Sequence, residues 1–224
     1  MNLNIEVEII FNGMVKMNID SIIFDLDGTL WNSIEGVCGT WKTVLANYPN
    51  ISKEITPKDI EGCMGFQINE IGKKLFPDLD EDFQIKLMKE CLDAELVYLQ
   101  EHGGMLFPKL EETLEKLSKR YKLFIVSNCQ DGYIQCFYKA HKLNKYFTDF
   151  ECSGVTGLSK GETNRIIIER NELKSPIYVG DTNVDAESAK VAGIPFVYAR
   201  YGFGNVEEYD YVIDNFEELI TLLF

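Results

Sequence analysis

The stretch SIIFDLDGTLW, Ser21 to Trp31, decides how the chain is read. Three apolar residues, Ile22, Ile23 and Phe24, run straight into Asp25, and a second carboxylate, Asp27, follows two places later. So apolar a strand is expected to be covered on both faces, as in a parallel sheet. Ending it on two acids is costly unless a cation compensates them. Gly28 and Thr29 then supply a tight turn.

Outward from this stretch, short apolar runs alternate with amphipathic ones. Strands are expected over 21–24, 122–126, 150–152, 177–179, 195–198 and 211–213, and helices over 109–119, 132–141, 161–171, 184–192 and 216–223. That alternation predicts an α/β fold, a doubly wound, Rossmann-like parallel sheet with right-handed crossovers. One interruption, 33–105, reads as all helix: Ile34, Cys38, Trp41, Leu45 and Tyr48 recur at helical spacing. Leu87, Cys91 and Leu99 mark a second long helix that Gly103 and Gly104 stop. Thr56-Pro57 is a cap and first-turn pair for a shorter one. The chain therefore divides into an N-terminal extension of unknown role (1–16, with a weak strand alternation over 5–11), a core built from 17–32 and 106–224, and a helical insert placed like a lid at 33–105.

Of the 224 residues, 46% are hydrophobic and 26% charged, the balance of an ordinary globular protein. A formal charge of −14 argues against nucleic acid or anionic membrane as a main partner, since both call for a basic face. An anionic small substrate remains compatible, because one metal ion and one lysine can reverse the field inside a cleft. The six cysteines are scattered without a CxxC, which suits a reducing compartment better than a zinc site or a disulfide framework. With no basic leader, cleavage pattern or apolar span, the cytoplasm is the expected location. Nothing in the pattern separates a monomer from a homodimer.

Ligands of an open parallel sheet bind beyond the carboxyl ends of its strands. Here those ends carry Asp25 and Asp27, then Ser127-Asn128 after LFIV, then Gly180-Asp181 after IYV with Asp185 four residues on, while Lys160 in GLSKGE precedes a helix. Singly, each has an ordinary reading: Asp181 could cap a helix, Ser127-Asn128 is a common turn pair, and an isolated lysine is usually solvated. Together, four carboxylates and one lysine would repel without a divalent cation. An all-oxygen set suits Mg²⁺, which keeps waters and takes a substrate phosphate oxygen. Ser127, Asn128 and Lys160 can donate to that phosphate. With neither a histidine pair nor a thiol at these ends, a carboxylate is the available nucleophile, and aspartyl-phosphate chemistry follows as the reaction class.

DLDGT at 25–29, Ser127 behind an apolar strand, Lys160, and GDTNVD at 180–185 resemble, in order, the four motifs of the haloacid dehalogenase superfamily. The insert resembles the helical cap of its phosphoglycolate-phosphatase-like branch. The stretches at 107–117 and 209–223 are similar to stretches flanking the core in that branch. The resemblance implies an Mg²⁺-dependent hydrolase of a small phosphate monoester, with Asp25 as nucleophile and Asp27 as general acid and base. It implies phosphate binding by Ser127, Asn128 and Lys160. Asp25, the Asp27 carbonyl and Asp181 would hold the metal, with Asp185 orienting a water on it. It also implies that the cap loop at Gly65, Phe66 and Gln67 touches the substrate beyond its phosphate; the plainer alternative is a connector between cap helices. Asn32 stands where many relatives carry an acid, a departure at the cap hinge. A sugar phosphomutase shares every core motif and is the alternative reading. Asp27 speaks against the dehalogenases, and the insert against a two-component receiver.

Overall fold

The structure, a computed structural model, describes residues 8–10, 14–16 and 18–224. Its strands are β1 (Glu8–Ile10), β2 (Met14–Lys16), β3 (Ser21–Phe24), β4 (Trp31–Asn32), β5 (Met105–Leu106), β6 (Lys122–Ser127), β7 (Asp149–Cys152), β8 (Pro176–Gly180), β9 (Phe196–Ala199) and β10 (Tyr211–Ile213). Helices α1 (Ile34–Leu45), α2 (Pro57–Glu61), α3 (Ile68–Leu75) and α4 (Glu81–His102) form the insert. The core carries α5 (Leu110–Leu117), α6 (Tyr133–His141), α7 (Ser153–Thr156), α8 (Lys160–Arg170), α9 (Asn183–Ala192) and α10 (Glu218–Leu223).

Six strands make one sheet in the order β10-β9-β8-β3-β6-β7, and every neighbouring pair in it is parallel. The apolar β3 runs down its middle because both its faces are covered. Ile22 and Phe24 join a core with Leu123, Ile125 and Val179, which α5, α6 and α10 close. Ile23 points the other way, to Phe124, Tyr178, Ile167 of α8 and Ala189 of α9. This period of two, buried on both sides, makes a doubly wound sheet of the chain. The expected strands and core helices are all present, with bounds moved by one or two residues, as fraying ends allow.

The insert is a helical cap. Val37, Cys38 and Trp41 of α1 pack with Leu87, Cys91 and Leu99 of α4 in the same apolar cluster. Thr56 caps α2, with Pro57 in its first turn, and Gly103 ends α4. A feature absent from the sequence reading lies at its base. The two chain crossings pair as a short antiparallel ladder, Trp31 opposite Leu106 and Asn32 opposite Met105. Two-residue strands are too short to show a period. At the departure from the usual acid, Asn32 Oδ1 accepts from the Ile34 N–H (3.0 Å) and starts α1.

Before the core, Glu8–Ile10 pairs antiparallel with Met14–Lys16. The rest of the extension at 1–16 lies outside the described residues. No described helix is long and apolar enough to cross a membrane.

Candidate active site

Phe24 is the last paired residue of β3, opposite Ile125 on one side and Val179 on the other. Asp25 therefore leaves the sheet between the ends of β6 and β8, its N–H still donating to Val179 O (2.8 Å). Ser127 closes β6 and Asp181 follows β8, so both arrive at the same edge. Lys160 comes from a capping box: Ser159 Oγ accepts from the Glu162 N–H (3.3 Å) and the Glu162 carboxylate answers the Ser159 N–H (3.1 Å). That box makes Lys160 the first residue of α8 and aims it inward. A second box, Thr182 with Asp185, starts α9. The cap that Asp181 alone could have supplied thus comes from Thr182, and Asp181 is left free for the site.

Lys160 Nζ lies 2.6 Å from both Asp25 Oδ1 and Asp185 Oδ1, and its side chain is 2% exposed. Asp185 accepts from Lys160 and Tyr178 OH (3.2 Å) on one oxygen, and from Asp181 N (3.1 Å), Thr182 N (2.9 Å) and Thr182 Oγ1 (2.7 Å) on the other. Asp181 accepts from the Phe203 N–H at 2.7 Å and, more weakly, from Thr29 Oγ1 at 3.4 Å. Gly28 has φ +82°, and a Cβ there would stand 2.1 Å from Asp181 Oδ2, so only glycine lets the turn pass the carboxylate.

Three buried acids share one cation. Burial, and then the Asp185 charge, push the Asp25 carboxyl from 3.8 up to about 7, with Lys160 pulling the other way. Burial followed by Asp185 and Asp25 pushes Asp181 well above the usual carboxylate range. Burial opposes charge on Lys160 too, but the Asp185 and Asp25 carboxylates outweigh it and hold the ammonium protonated. One lysine cannot neutralise three carboxylates in a medium that screens poorly. Oxygens of Asp25, Asp181 and Asp185 lie within 4.8 Å of one another. This buried, all-oxygen donor set, short of positive charge, fits Mg²⁺.

Asp27 faces the cap. Its Oδ1 accepts from Trp31 Nε1 (2.9 Å) and Ser33 Oγ (2.5 Å), with Tyr133 OH at 3.0 Å. Burial raises its carboxyl, while the Ser33, Tyr133 and Trp31 donors oppose the rise. Asp25, Asp27 and Ser127 form the floor of a chamber of about 80 Å³ between core and cap, roofed by Met64, Gly65 and Phe66. Ser127 Oγ accepts from the Cys129 N–H (3.4 Å), which leaves its O–H to donate.

Two residues expected in the site serve the cap–core seam. Asn128 lines the chamber, but its Nδ2 donates to Gly65 O (2.7 Å) and its Oδ1 accepts from Ser153 Oγ (2.6 Å). Gly65, at φ +80°, turns the loop that presents this carbonyl. Gln67 does not line the chamber; its Nε2 donates to Leu158 O (3.1 Å). The sequence reading missed Trp31, Ser33 and Tyr133 around Asp27, and Glu95 in the chamber wall. Glu95 had a signal: it sits four residues from both Cys91 and Leu99, on the buried stripe of α4.

The model of the haloacid dehalogenase-like hydrolases matches residues 22–199. The chain belongs to that family. It is 26% identical, over 94% of its length and 98% of the relative's, to the phosphoglycolate phosphatase of Vibrio parahaemolyticus. The phosphoglycolate phosphatase of Aquifex aeolicus is also 26% identical, with 90% of this chain and 95% of that protein covered. Among solved structures, a haloacid dehalogenase-like family hydrolase from Streptococcus pneumoniae superimposes with a TM-score of 0.79 at 23% identity, covering 91% of this chain and 97% of the other. At that identity the superposition speaks for the fold.

Proposed function

We propose that the chain hydrolyses a small phosphate monoester, of the size of the compound in its relatives' name, through a covalent intermediate on Asp25. The supporting observation is the buried contact at 2.6 Å between Lys160 and Asp25, which shares the chamber floor with Asp27 and an oxygen cluster with Asp181. An Asp25 oxygen attacks phosphorus, and the bond from phosphorus to the leaving oxygen breaks. Asp27, whose carboxyl burial raises above the ordinary value, gives that oxygen its proton. Asp27 then takes a proton from water as the water oxygen attacks phosphorus. The bond to Asp25 breaks and inorganic phosphate leaves.

Ser127 and Lys160 hold the phosphoryl oxygens, where the ammonium offsets charge gathering in the transition state. Asn128 ties down the Gly65 carbonyl with one amide hydrogen and has the other to donate to the phosphate. Asp25, Asp181 and the Asp27 carbonyl would hold Mg²⁺, which when bound neutralises the acids and draws charge from a phosphate oxygen. Asp185, in the same oxygen cluster, would orient water on that metal, and it holds Lys160 and the start of α9 in place. Residues 33–105 act as the cap of a core formed by 17–32 and 106–224, and exclude water from the chamber.

The test is steady-state turnover of a phosphate monoester panel with Mg²⁺, with Ca²⁺ and with excess chelator. One inorganic phosphate per ester consumed, with Mg²⁺ required, is expected. Accumulation of an isomeric sugar phosphate in place of phosphate would favour the mutase, and full activity in chelator would remove the metal.

A further inference from the structure

The far wall of the chamber carries a third acid, which the proposed reaction does not use. Glu95 of α4 is 4% exposed and lines the same space as Asp25 and Asp27. Its Oε2 accepts from Trp41 Nε1 (2.7 Å) and its Oε1 from Gln130 Nε2 (3.0 Å). Gln130 spends its remaining amide hydrogen on Leu92 O (2.9 Å). The strong N–H donors of this wall are therefore directed at Glu95 or at the backbone, not at a ligand. Once Glu95 is ionised, acceptors are what remain: one lone pair on each of its oxygens, and the Gln130 carbonyl oxygen.

The charges agree with this polarity. Among the described residues lining the chamber there is no lysine, arginine or histidine. Lys160, behind the floor, is shared between Asp25 and Asp185. Lys74 lies 4.5 Å from the ring centre of Phe66, but its ammonium is exposed and bonded to Gly62 O. A carboxylate on the substrate would be buried beside Asp27 without a cation, answered at best by the proton of a neutral Glu95, and a low-dielectric site penalises that unbalanced charge. A hydroxyl or ammonium group would instead meet the unfilled acceptors.

We propose that Glu95 sets the substrate class: the alcohol portion of the ester carries a hydroxyl or ammonium group that donates to the Glu95 carboxylate, and carries no carboxylate of its own. This rests on the phosphatase reading above, and it separates this chain from the substrate in its relatives' name. Burial raises the Glu95 carboxyl to about 8 in the empty chamber, so an arriving ammonium also supplies the charge that lets it ionise.

Three two-carbon esters differing only at the distal group provide the test: 2-hydroxyethyl phosphate, phosphoethanolamine and phosphoglycolate, with acetyl phosphate beside them. In the full-length protein with Mg²⁺, kcat/KM for the better of the first two should exceed that for phosphoglycolate by about tenfold or more. In Glu95→Gln the ratio should fall at least about fivefold, mainly through KM of the favoured ester. Phosphoglycolate equal to or better than both in the wild type overturns the proposal, as does an unchanged ratio in a folded Glu95→Gln protein. If that variant does not fold, the wild-type ratio alone decides. Turnover of none of the four, acetyl phosphate included, would instead defeat the phosphatase reading, and this inference with it.

Discussion

Replacing Asp25, the proposed nucleophile, should stabilise the metal-free protein, and the structure gives the size of the effect. Asp25 is 3% exposed and shares Lys160 with Asp185, and its carboxyl is raised from 3.8 to about 7. An acid that holds its proton more tightly when folded favours the folded state at low pH. That stability is complete below the unfolded value and is lost as pH climbs through the folded one. At ~1.4 kcal/mol per pH unit, the metal-free wild type loses roughly 4 kcal/mol between pH 4 and pH 8 from this group alone. Asp25→Asn does not titrate, and its amide oxygen can still accept from Lys160. In chelator at pH 8 the variant should be more stable by about 2–4 kcal/mol, a rise in Tm of roughly 5–15 °C for a chain of this size. The advantage should shrink by about 2–3 kcal/mol at pH 5. Excess Mg²⁺ should stabilise the wild type more than the variant, and turnover in the variant should fall by several orders of magnitude. Urea melts at the two pH values, with and without Mg²⁺, supply the measurement. A variant less stable than the wild type at pH 8, or a difference independent of pH, would refute an excess of negative charge at this site.

Other expectations concern the neighbours of Asp25. Asp27→Asn should lower kcat by about 10²–10⁴ for an alkyl phosphate, whose leaving oxygen needs a proton, and by much less for acetyl phosphate; equal losses would remove Asp27 from proton transfer. Gly28→Ala puts a Cβ 2.1 Å from Asp181 Oδ2 at a φ of +82°, so Asp181 must move, and turnover should fall by about 10² with a weaker response to Mg²⁺. An unaltered Mg²⁺ titration would show that Asp181 is not a ligand. Gln67→Ala removes the Nε2 contact to Leu158 O, worth about 1 kcal/mol of cap closure, and should raise KM a few-fold for all esters alike. A changed order of substrates would make Gln67 a selector and not a latch.

The core was legible because its signals are local. An apolar run such as Ile22–Phe24 can only be a strand covered on both faces, and the residue that ends it must emerge at the ligand edge. Ser159-x-x-Glu162 and Thr182-x-x-Asp185 are equally local signals that the structure shows to start two helices, but they were not read as such: the helices were expected one residue later, with Asp181 as a possible cap. The seam between cap and core was not legible. Asn128 reads as a phosphate donor, and nothing in the sequence shows that one of its two amide hydrogens also holds the carbonyl of Gly65, 63 residues away. Gln67 reads as a chamber residue until Leu158, 91 residues away, takes it. Pairings across such separations leave no periodicity in a single sequence. Glu95 lies between these cases, visible as a lone acid on an apolar stripe but without a reason until the chamber appears.

The hinge and the chemistry are also less separate than the order of the chain suggests. Trp31 belongs to β4, the strand through which the chain enters the cap, and Ser33 precedes α1 directly. Both donate to the same oxygen of Asp27. These donors favour the ionised form of Asp27, whereas burial under the cap favours the protonated one. Any swing of the cap about β4 must therefore move donors of the acid as well as admit water to it. On the proposed mechanism, opening would alter both opposing influences on Asp27 at once, and the proton for the leaving oxygen would then depend on the same ladder, Trp31 opposite Leu106, that joins the cap to the core.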